Sequence, residues 1–414
     1  MKCQSWIAAI ATVASLYISG TRAQTEIPDL GTLLAGQKNL TTFYGLIQKY
    51  PNILLSLPST NGVTILAPNN DAFDKIPYSE LKSAFEKNDQ DLITNILQYH
   101  ILTGPRTAAQ LNPGDSTFIP TLLTSPAWTS VKGGQRVENI KQNGDVVIFV
   151  SGRGTHTTVT QKDLMFTGGV IQVLDSLLIP PANLTDTFAA FNLTAYEGAL
   201  YQTKKTDPYT KTANSTFFVP DNDAFQALGP AISDMTTEQL AAVLDYHTIP
   251  GQVIYSTSLT NGSVFTTAQG GNITVRQAGN TLYINSAPLG ATDILLKNGV
   301  LHVLQNVLNP AGPGATPNPQ IGEQGEVFAS ASKAQSLPFT SAIPCTSACP
   351  TTSTSASMSG SGGVTAGGSR PTSTGKGAAG AMSSSKALGV AMARETGFGA
   401  AGLMVALGGA VMMI

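Results

Sequence analysis

Cysteine is scarce in this chain of 414 residues, which has three. Cys3 lies near the N-terminus and none follows until Cys345 and Cys349, so neither a disulfide framework nor a Cys/His zinc site can hold residues 24–344 together. That region must therefore fold around an apolar core. Cys345 and Cys349 could form a disulfide that closes a small local ring, which would be a weak constraint on the chain.

Charge is also low. Charged residues make up 12% of the chain, about half of the roughly 25% in an average soluble protein, and 23 basic against 25 acidic residues give a net charge of −2. No cluster of Lys and Arg occurs, which argues against a nucleic-acid partner. This neutral, polar composition is typical of an exported protein rather than of a charge-rich cytosolic protein or a polytopic membrane protein.

Motifs of the common enzyme classes are missing as well. The four His residues form no H-E-x-x-H pattern, and neither G-x-S-x-G nor a P-loop occurs. Gly152-Arg153-Gly154 lacks the third Gly of a dinucleotide-binding loop, and no helical pattern follows it. We therefore expect a non-enzymatic protein with no catalytic residue, no metal and no cofactor.

The N-terminal end has the layout of an export signal. Lys2 precedes an uncharged run from Trp6 to Ile18, which is too short to span a bilayer. Thr21 and Ala23 are small residues suited to cleavage, so the pattern predicts a signal peptide over residues 1–23.

The C-terminal end has the layout of a glycosylphosphatidylinositol (GPI) attachment signal. Three Ser residues, 383–385, precede a spacer and an uncharged tail from Phe398 to Ile414, so residues 386–414 would be removed. We choose Ser383 as the attachment residue, with the next two Ser residues and the run 377–381 as alternatives. A tail retained as a membrane helix is the competing interpretation.

The region between the two ends is an internal duplication. Four blocks recur in the same order: Asn39–Phe43 as Asn192–Tyr196, Thr64–Phe73 as Thr216–Phe225, Leu97–His100 as Leu244–His247, and Gly169–Leu174 as Gly299–Leu304. The separation shrinks from 147 residues at the third block to 130 at the fourth, so the first copy has about 17 additional residues. We place them in a loop around Ser125 to Gly134.

Each copy combines two periodicities. Leu40, Phe43 and Ile47 have helical spacing, whereas Val146–Val150 is a short apolar run typical of a strand. Helices come early in each copy and strands dominate late, which predicts an α+β fold. The expected domains are residues 27–180 and 182–310. Residues 311–385 are rich in Ser, Thr, Gly and Pro and predict a disordered, O-glycosylated stalk.

The recurring blocks resemble the fasciclin domain family (FAS1, beta-ig-h3). The T-x-x-x-P-x-N-D-A-F block, the Tyr-His pair and the N-G-V-x-H-V block match that family in both copies, except that Gly168-Gly169 and Gln172 replace the usual Asn-Gly and His in the first. The resemblance implies a two-sheet β wedge with several helices, an extracellular setting and a role in adhesion. The whole layout is similar to that of fungal GPI-anchored surface members.

The resemblance also implies partner-binding positions, because the Tyr-His region and an Asp-Ile pair bind receptors in animal members. The matching residues here are Tyr99, His100, Asp163, Leu164, Tyr246, His247, Asp293 and Ile294. From the residues alone, we favour a buried His bonded to backbone at each Tyr-His pair, and a helix cap at each Asn/Asp block. No Arg-Gly-Asp occurs, and we assume no integrin partner.

Six N-x-S/T sequons fall inside the two copies and predict N-linked glycans. They begin at Asn39, Asn183, Asn192, Asn214, Asn261 and Asn272.

These observations favour a non-enzymatic glycoprotein that mediates adhesion, or contact with matrix or cell wall, on the outer face of the plasma membrane or in the wall. Its partners would be surface, matrix or wall components, protein or glycan, and its membrane link a lipid. A carbohydrate- or lipid-binding wall module is one alternative. A vacuolar or secretory-pathway membrane protein with a retained C-terminal helix is another.

Overall fold

The computed structural model describes residues 26–344, apart from 56, 58–61, 77, 78, 115, 313, 315, 319, 322 and 323. The predicted signal peptide, the Cys345/Cys349 pair, the stalk beyond residue 344 and the attachment site at Ser383 lie outside the described residues. Within the described part, no helix is both long and apolar enough to cross a membrane.

In its described residues, the first domain has six α-helices and seven strands. The helices are α1 (Leu30–Ala35), α2 (Thr41–Lys49), α3 (Asn52–Leu55), α4 (Asn70–Asp74), α5 (Ser79–Lys87) and α6 (Gln90–Tyr99). The strands are β1 (Val63–Pro68), β2 (Ile101–Thr103), β3 (Ser116–Pro120), β4 (Arg136–Gln142), β5 (Val146–Val150), β6 (His156–Phe166) and β7 (Gly169–Leu174).

These strands form one folded sheet in the order β2-β1-β7-β6-β5-β4-β3. β1 and β7 are parallel, and the other neighbours are antiparallel. β6 pairs with β5 over its first three residues and with β7 from Val159 onward. Register shifts between Val159 and Leu164 bend the strand, so the sheet folds into two layers there. The expected α+β fold is confirmed, with the strands of this domain joined in one folded sheet instead of two separate sheets.

The second domain repeats this plan with a shorter sheet. Its helices are α7 (Leu184–Ala190), α8 (Thr194–Gln202), α9 (Thr206–Lys211), α10 (Asn222–Leu228), α11 (Pro230–Ser233) and α12 (Thr237–Tyr246). Its strands are β8 (Ser215–Pro220), β9 (Thr248–Ile249), β10 (Val264–Thr266), β11 (Asn272–Ala278), β12 (Thr281–Ile284), β13 (Ala287–Pro288), β14 (Ile294–Leu296) and β15 (Gly299–Leu304). They form two sheets, β14-β15-β8-β9 and β10-β11-β12-β13, with β8 and β15 parallel.

The central parallel pair explains the apolar runs in both copies. Every residue of β1 and of β8 is buried, because helices cover one face of the pair and the second sheet layer covers the other. In β8, Phe217 faces the helical core and Phe218 faces the hairpin sheet. Each domain therefore has two apolar clusters on opposite sides of one strand pair.

The stalk does not begin at residue 311 as expected. Residues 324–343 pack along the second domain, where Phe339 joins the helical core and Phe328 and Leu337 pack against it. Gly198 on α8 permits this approach, since a Cβ there would lie 2.2 Å from the Phe339 carbonyl oxygen. The Ala334 N–H donates to the Gln226 carbonyl at 2.8 Å. We call residues 324–343 the strap.

Candidate functional site

The Tyr-His pairs predicted as partner-binding lie inside the domains. His100 and His247 are each 1% exposed. The His100 Nδ1 bonds to the Ile96 carbonyl at 2.8 Å, and its Nε2 accepts from the Leu178 N–H at 3.0 Å. His247 repeats this between Val243 and Leu308, at 2.7 and 2.9 Å. The expected buried His bonded to backbone is confirmed in both copies.

These bonds define the chemistry of both imidazoles. Because Nε2 accepts an N–H, the proton must sit on Nδ1, and the ring is neutral. Burial lowers the pKa of His100 and of His247 to about 4, because the charged form would lose its hydration. Each imidazole ties the end of a helix to the segment after the last strand of its domain.

The neighbouring Tyr residues bridge the two sheet layers. The Tyr99 hydroxyl donates to the Arg136 carbonyl at 3.0 Å, and the Tyr246 hydroxyl donates to the Asn272 carbonyl at 2.7 Å. Both rings are buried. Each Tyr-His pair thus braces its own domain from within.

The Asp-Leu and Asp-Ile pairs belong to a buried hydrogen-bond network, one in each domain, which we call the frame. The Asp163 carboxylate accepts the Ala108 N–H at 3.0 Å, and the Asp293 carboxylate accepts the Ser256 N–H at 2.8 Å. Both Asp residues have positive φ, 57° and 61°, a conformation that Asp tolerates better than most residues. Asp293 and Ile294 are buried, whereas Asp163 and Leu164 are half-buried.

Gln172 and His302 complete this frame with different chemistry. Gln172 accepts the Asp163 N–H through Oε1 at 3.1 Å and donates from Nε2 to the Arg106 carbonyl at 3.0 Å. His302 accepts the Asp293 N–H through Nδ1 at 3.3 Å, and its Nε2 bonds to the Ile254 carbonyl at 2.8 Å. The Gln172 amide in the first copy thus makes the same hydrogen bonds that the His302 imidazole makes in the second. Burial lowers the pKa of His302, although the nearby Asp293 opposes this.

The Asn/Asp blocks cap helices as expected. Asn69 and Asp221 accept the N–H three residues ahead, at 2.8 Å in both copies. Asn70 and Asn222 then reach back to the start of an earlier helix, accepting the N–H of Thr42 and of Ala195. These four side chains are structural.

The two domains meet at an interface that the sequence motifs did not indicate, and we call this interface the seam. The Phe118 ring of the first domain stacks on the Tyr255 ring of the second, with centroids 3.9 Å apart and planes 11° apart. The Arg136 guanidinium lies 6.0 Å from the centre of the Tyr255 ring. Leu295 and Val300 of the second domain complete this apolar contact.

The additional loop of the first copy forms the rest of the seam. It connects β3 to β4 through residues 121–135, where the second domain needs only 267–271 between β10 and β11. The Ser130 N–H donates to the Lys297 carbonyl at 3.0 Å, the buried Gln135 Nε2 to the Leu296 carbonyl at 3.0 Å, and the Lys132 N–H to the Asn214 side chain at 2.6 Å. The described residues up to Ile343 therefore form one compact unit. The sequence signal for this seam was the loop's absence from the second copy.

An acidic side chain is buried at the seam. Glu138 is 8% exposed, and its carboxylate accepts the Ser116 hydroxyl at 2.6 Å. Burial and the nearby Asp293 of the second domain raise the pKa of Glu138 to about 7, against the opposing effect of Ser116. Among the described residues, no group of three or more His, Cys, Asp and Glu side chains is placed to hold a metal.

All six sequon asparagines lie at the surface or half-buried. Where they make side-chain bonds, they accept through Oδ1: Asn183 from the Asp186 N–H, Asn214 from Lys132, Asn261 from Gln277 and Asn272 from Thr266. Two asparagines outside sequons, Asn298 and Asn306, instead donate from Nδ2 to carbonyls. The nitrogen that would carry a glycan is thus uncommitted at the sequons of the described chain.

Comparison with known proteins identifies relatives of both copies. A family model for the fasciclin domain matches residues 38–180 and 191–310. A fasciclin-like arabinogalactan protein of Arthroderma benhamiae is 28% identical over 329 residues, which cover 79% of this chain and 76% of the relative. Another from Phaeosphaeria nodorum is 26% identical and covers 69% of this chain and 90% of the relative.

More distant similarity extends to animal proteins. Human periostin is 26% identical over 304 residues, which cover 70% of this chain and 32% of periostin. The solved FAS1 domain pair of the insect cell adhesion molecule Fasciclin I is 19% identical, covers 66% of this chain and 97% of that structure, and has a TM-score of 0.32.

Proposed function

This chain belongs to the fasciclin domain family, and from that premise we propose that it is a non-enzymatic cell-surface glycoprotein that mediates adhesion or contact with matrix or cell wall. The observation that carries the proposal is the match of both copies to the fasciclin model, together with a seam that joins the two domains. Two linked domains present two faces at a fixed spacing. Weak contacts made by such faces strengthen each other when many copies act together on one surface.

We propose that most of the predicted partner-binding residues act by holding the neighbouring loops in place. Tyr99, His100, Tyr246 and His247 are enclosed, so a partner would touch the segments that they brace rather than their side chains. The half-buried Asp163 and Leu164 differ, because part of each side chain reaches the surface. A partner contact at these two residues stays a prediction.

Glycans are part of the proposal. The six sequon asparagines have an uncommitted Nδ2, which suits attachment, and glycans there would cover both domains. We expect most of the six to be occupied. A mass shift on enzymatic deglycosylation that accounts for fewer than two chains would refute this.

We also propose a lipid anchor at Ser383, on the sequence pattern alone. Treatment of intact cells with phosphatidylinositol-specific phospholipase C should release the protein into the medium. A protein that stays with the membrane fraction after this treatment would instead support the retained helix and a vacuolar or secretory-pathway location.

The adhesion proposal is tested by removing the protein from its cells and measuring surface attachment and cell aggregation. Both should fall, and re-expression of the full chain should restore them. Unchanged attachment in cells shown to lack the protein would contradict the proposal. Selective binding on a glycan array or a lipid overlay, with attachment unaffected, would favour a wall-binding module instead.

A further inference from the structure

A groove lies at the seam, and the proposed adhesion function gives it no role. It encloses about 270 Å³ and is lined by Trp128 and Arg153 of the first domain, the connecting residues Pro180 and Pro181, and Asn183, Asp186 and Lys297 of the second. Trp128 belongs to the additional loop 121–135. The groove therefore lies where the two domains meet.

Trp128 is half-buried, and its ring packs on the first domain's core while it lines the groove. Within the described residues, the indole Nε1–H has no hydrogen-bond acceptor. An aromatic face with an uncommitted N–H, set among a few polar side chains, is typical of a site for a polar ring. The Asp186 carboxylate supplies acceptors and the Lys297 side chain supplies donors, as hydroxyl-rich ligands require.

Asn183 indicates which ligand would occupy this groove. It is a sequon asparagine, and its Oδ1 accepts the Asp186 N–H at 2.8 Å and the Thr185 hydroxyl at 2.9 Å, which fixes the side chain as the cap of α7. With Oδ1 held by the helix, Nδ2 is the atom left for attachment. A sugar on Nδ2 starts at the wall of the groove, so its local concentration there is that of an intramolecular ligand.

We propose that the N-linked glycan of Asn183 seats its first N-acetylglucosamine in this groove, against the Trp128 indole, and so braces the seam from outside. The other five sequon asparagines do not line this groove. The inference rests on the proposed glycosylation, and it assigns one glycan a structural role that the others lack.

The sequence offers a clean reporter for this contact. It contains two Trp residues, and the other, Trp6, lies in the predicted signal peptide. In the secreted chain, tryptophan fluorescence then reports on Trp128 alone.

Thr185→Ala is the variant of choice, because it abolishes the sequon and keeps the Asn183 side chain with its bond from the Asp186 N–H, although the Thr185 hydroxyl bond is lost. Ser263→Ala is the matched control, since it abolishes the sequon of Asn261, which lies away from the groove. Mass spectrometry of the glycopeptide that contains Asn183 first establishes its occupancy in the wild type. Acrylamide quenching and the emission maximum are then compared among the three secreted proteins.

We expect stronger quenching and a shift of the emission to longer wavelength in Thr185→Ala only. An unoccupied Asn183, or equal quenching in all three proteins, would overturn the inference. Trimming the wild-type glycan to its first sugar with an endoglycosidase provides a test without mutation: protection of Trp128 should persist, and its loss would also overturn the assignment. Attachment assays report on the adhesion proposal separately, since neither variant changes the predicted partner positions.

Discussion

The two domains build the same buried polar frame, but with different side chains at one position. Gln172 in the first domain and His302 in the second each accept the N–H of an Asp with positive φ and bond to a loop carbonyl. Only the imidazole can gain a charge near neutral pH. The pair shows that this position requires one acceptor and one donor at fixed places, and that its acid–base character is incidental to the fold.

The domains differ more where they meet and where the chain leaves them. The first contributes the loop 121–135 to the seam, and the second is covered by the strap. Both additions bury surface that the shared fold would leave open. We therefore expect variants of the shared frame to affect both domains alike, and variants of the additions to affect one domain or the seam.

The largest effect should come from the shared His residues. His100→Ala and His247→Ala each leave a cavity and two unsatisfied backbone groups, which should lower the free energy of unfolding by about 4 kcal/mol. His156→Ala, at an exposed position of β6, is the control and should change little. Chemical denaturation monitored by circular dichroism measures all three. A large loss in one domain and none in the other would break the proposed equivalence.

Next in size is the strap, which should matter to the second domain only. Phe339→Ala removes a ring from the helical core and should cost about 3 kcal/mol there. Ser341→Ala, at an exposed position of the strap, is the control. Hydrogen exchange of α8 and α10 should rise in the first variant, while the exchange of α2 and α6 stays as in the wild type. Unchanged exchange of α8 would show that the strap is not part of this core.

His302→Gln gives the second domain the same residue that the first domain has at this position of the frame. At pH 8 we expect a change below about 1 kcal/mol, because Gln172 shows that an amide can make these bonds. Below the ordinary His pKa of 6.5 the wild type should lose stability, since buried neutral imidazoles have lowered pKa values and the unfolded chain takes up the protons. For His100 and His247 this loss is on the order of 3 kcal/mol each by pH 4.

The variant removes one of these three groups, so its unfolding free energy should fall less steeply between pH 6.5 and 4. The Asp293 carboxylate faces His302 and opposes this lowering of the His302 pKa. Denaturation midpoints at several pH values measure the slope. An equally steep slope in the variant would contradict the assignment of His302 as buried and neutral.

Glu138, the acidic side chain buried at the seam, should depend on pH in the opposite sense to the buried His residues. The pKa of Glu138 is raised from 4.5 to about 7, so its contribution to stability is complete below pH 4.5 and is lost as the pH rises through 7. Glu138→Gln should therefore match the wild type at pH 4.5 and exceed it by about 3 kcal/mol at pH 8. Ser116 contacts Glu138 and Asp293 faces it, and both remain in the variant. Equal stability of the two proteins at pH 8 would contradict the raised pKa.

Structural features that recur in both domains could be predicted from the sequence, whereas features that occur only once could not. The apolar runs of β1 and β8 and the capping Asn69 and Asp221 follow from local chemistry, and duplication makes each signal visible twice. The strap was missed because Ser- and Ala-rich sequence with few aromatics resembles a disordered stalk, and Phe339 is buried only through a distant glycine on α8. The stacking of Phe118 on Tyr255 was missed because it joins residues far apart in the chain.

The claim that the recurring Tyr-His pairs serve structure is tested most directly by nitrogen NMR of the imidazoles across a pH titration. We predict that His100 and His247 both keep the proton on Nδ1 and stay neutral until about pH 4. Titration of either ring near 6.5, or a proton on Nε2, would place that His in contact with solvent or with a partner and would contradict the account.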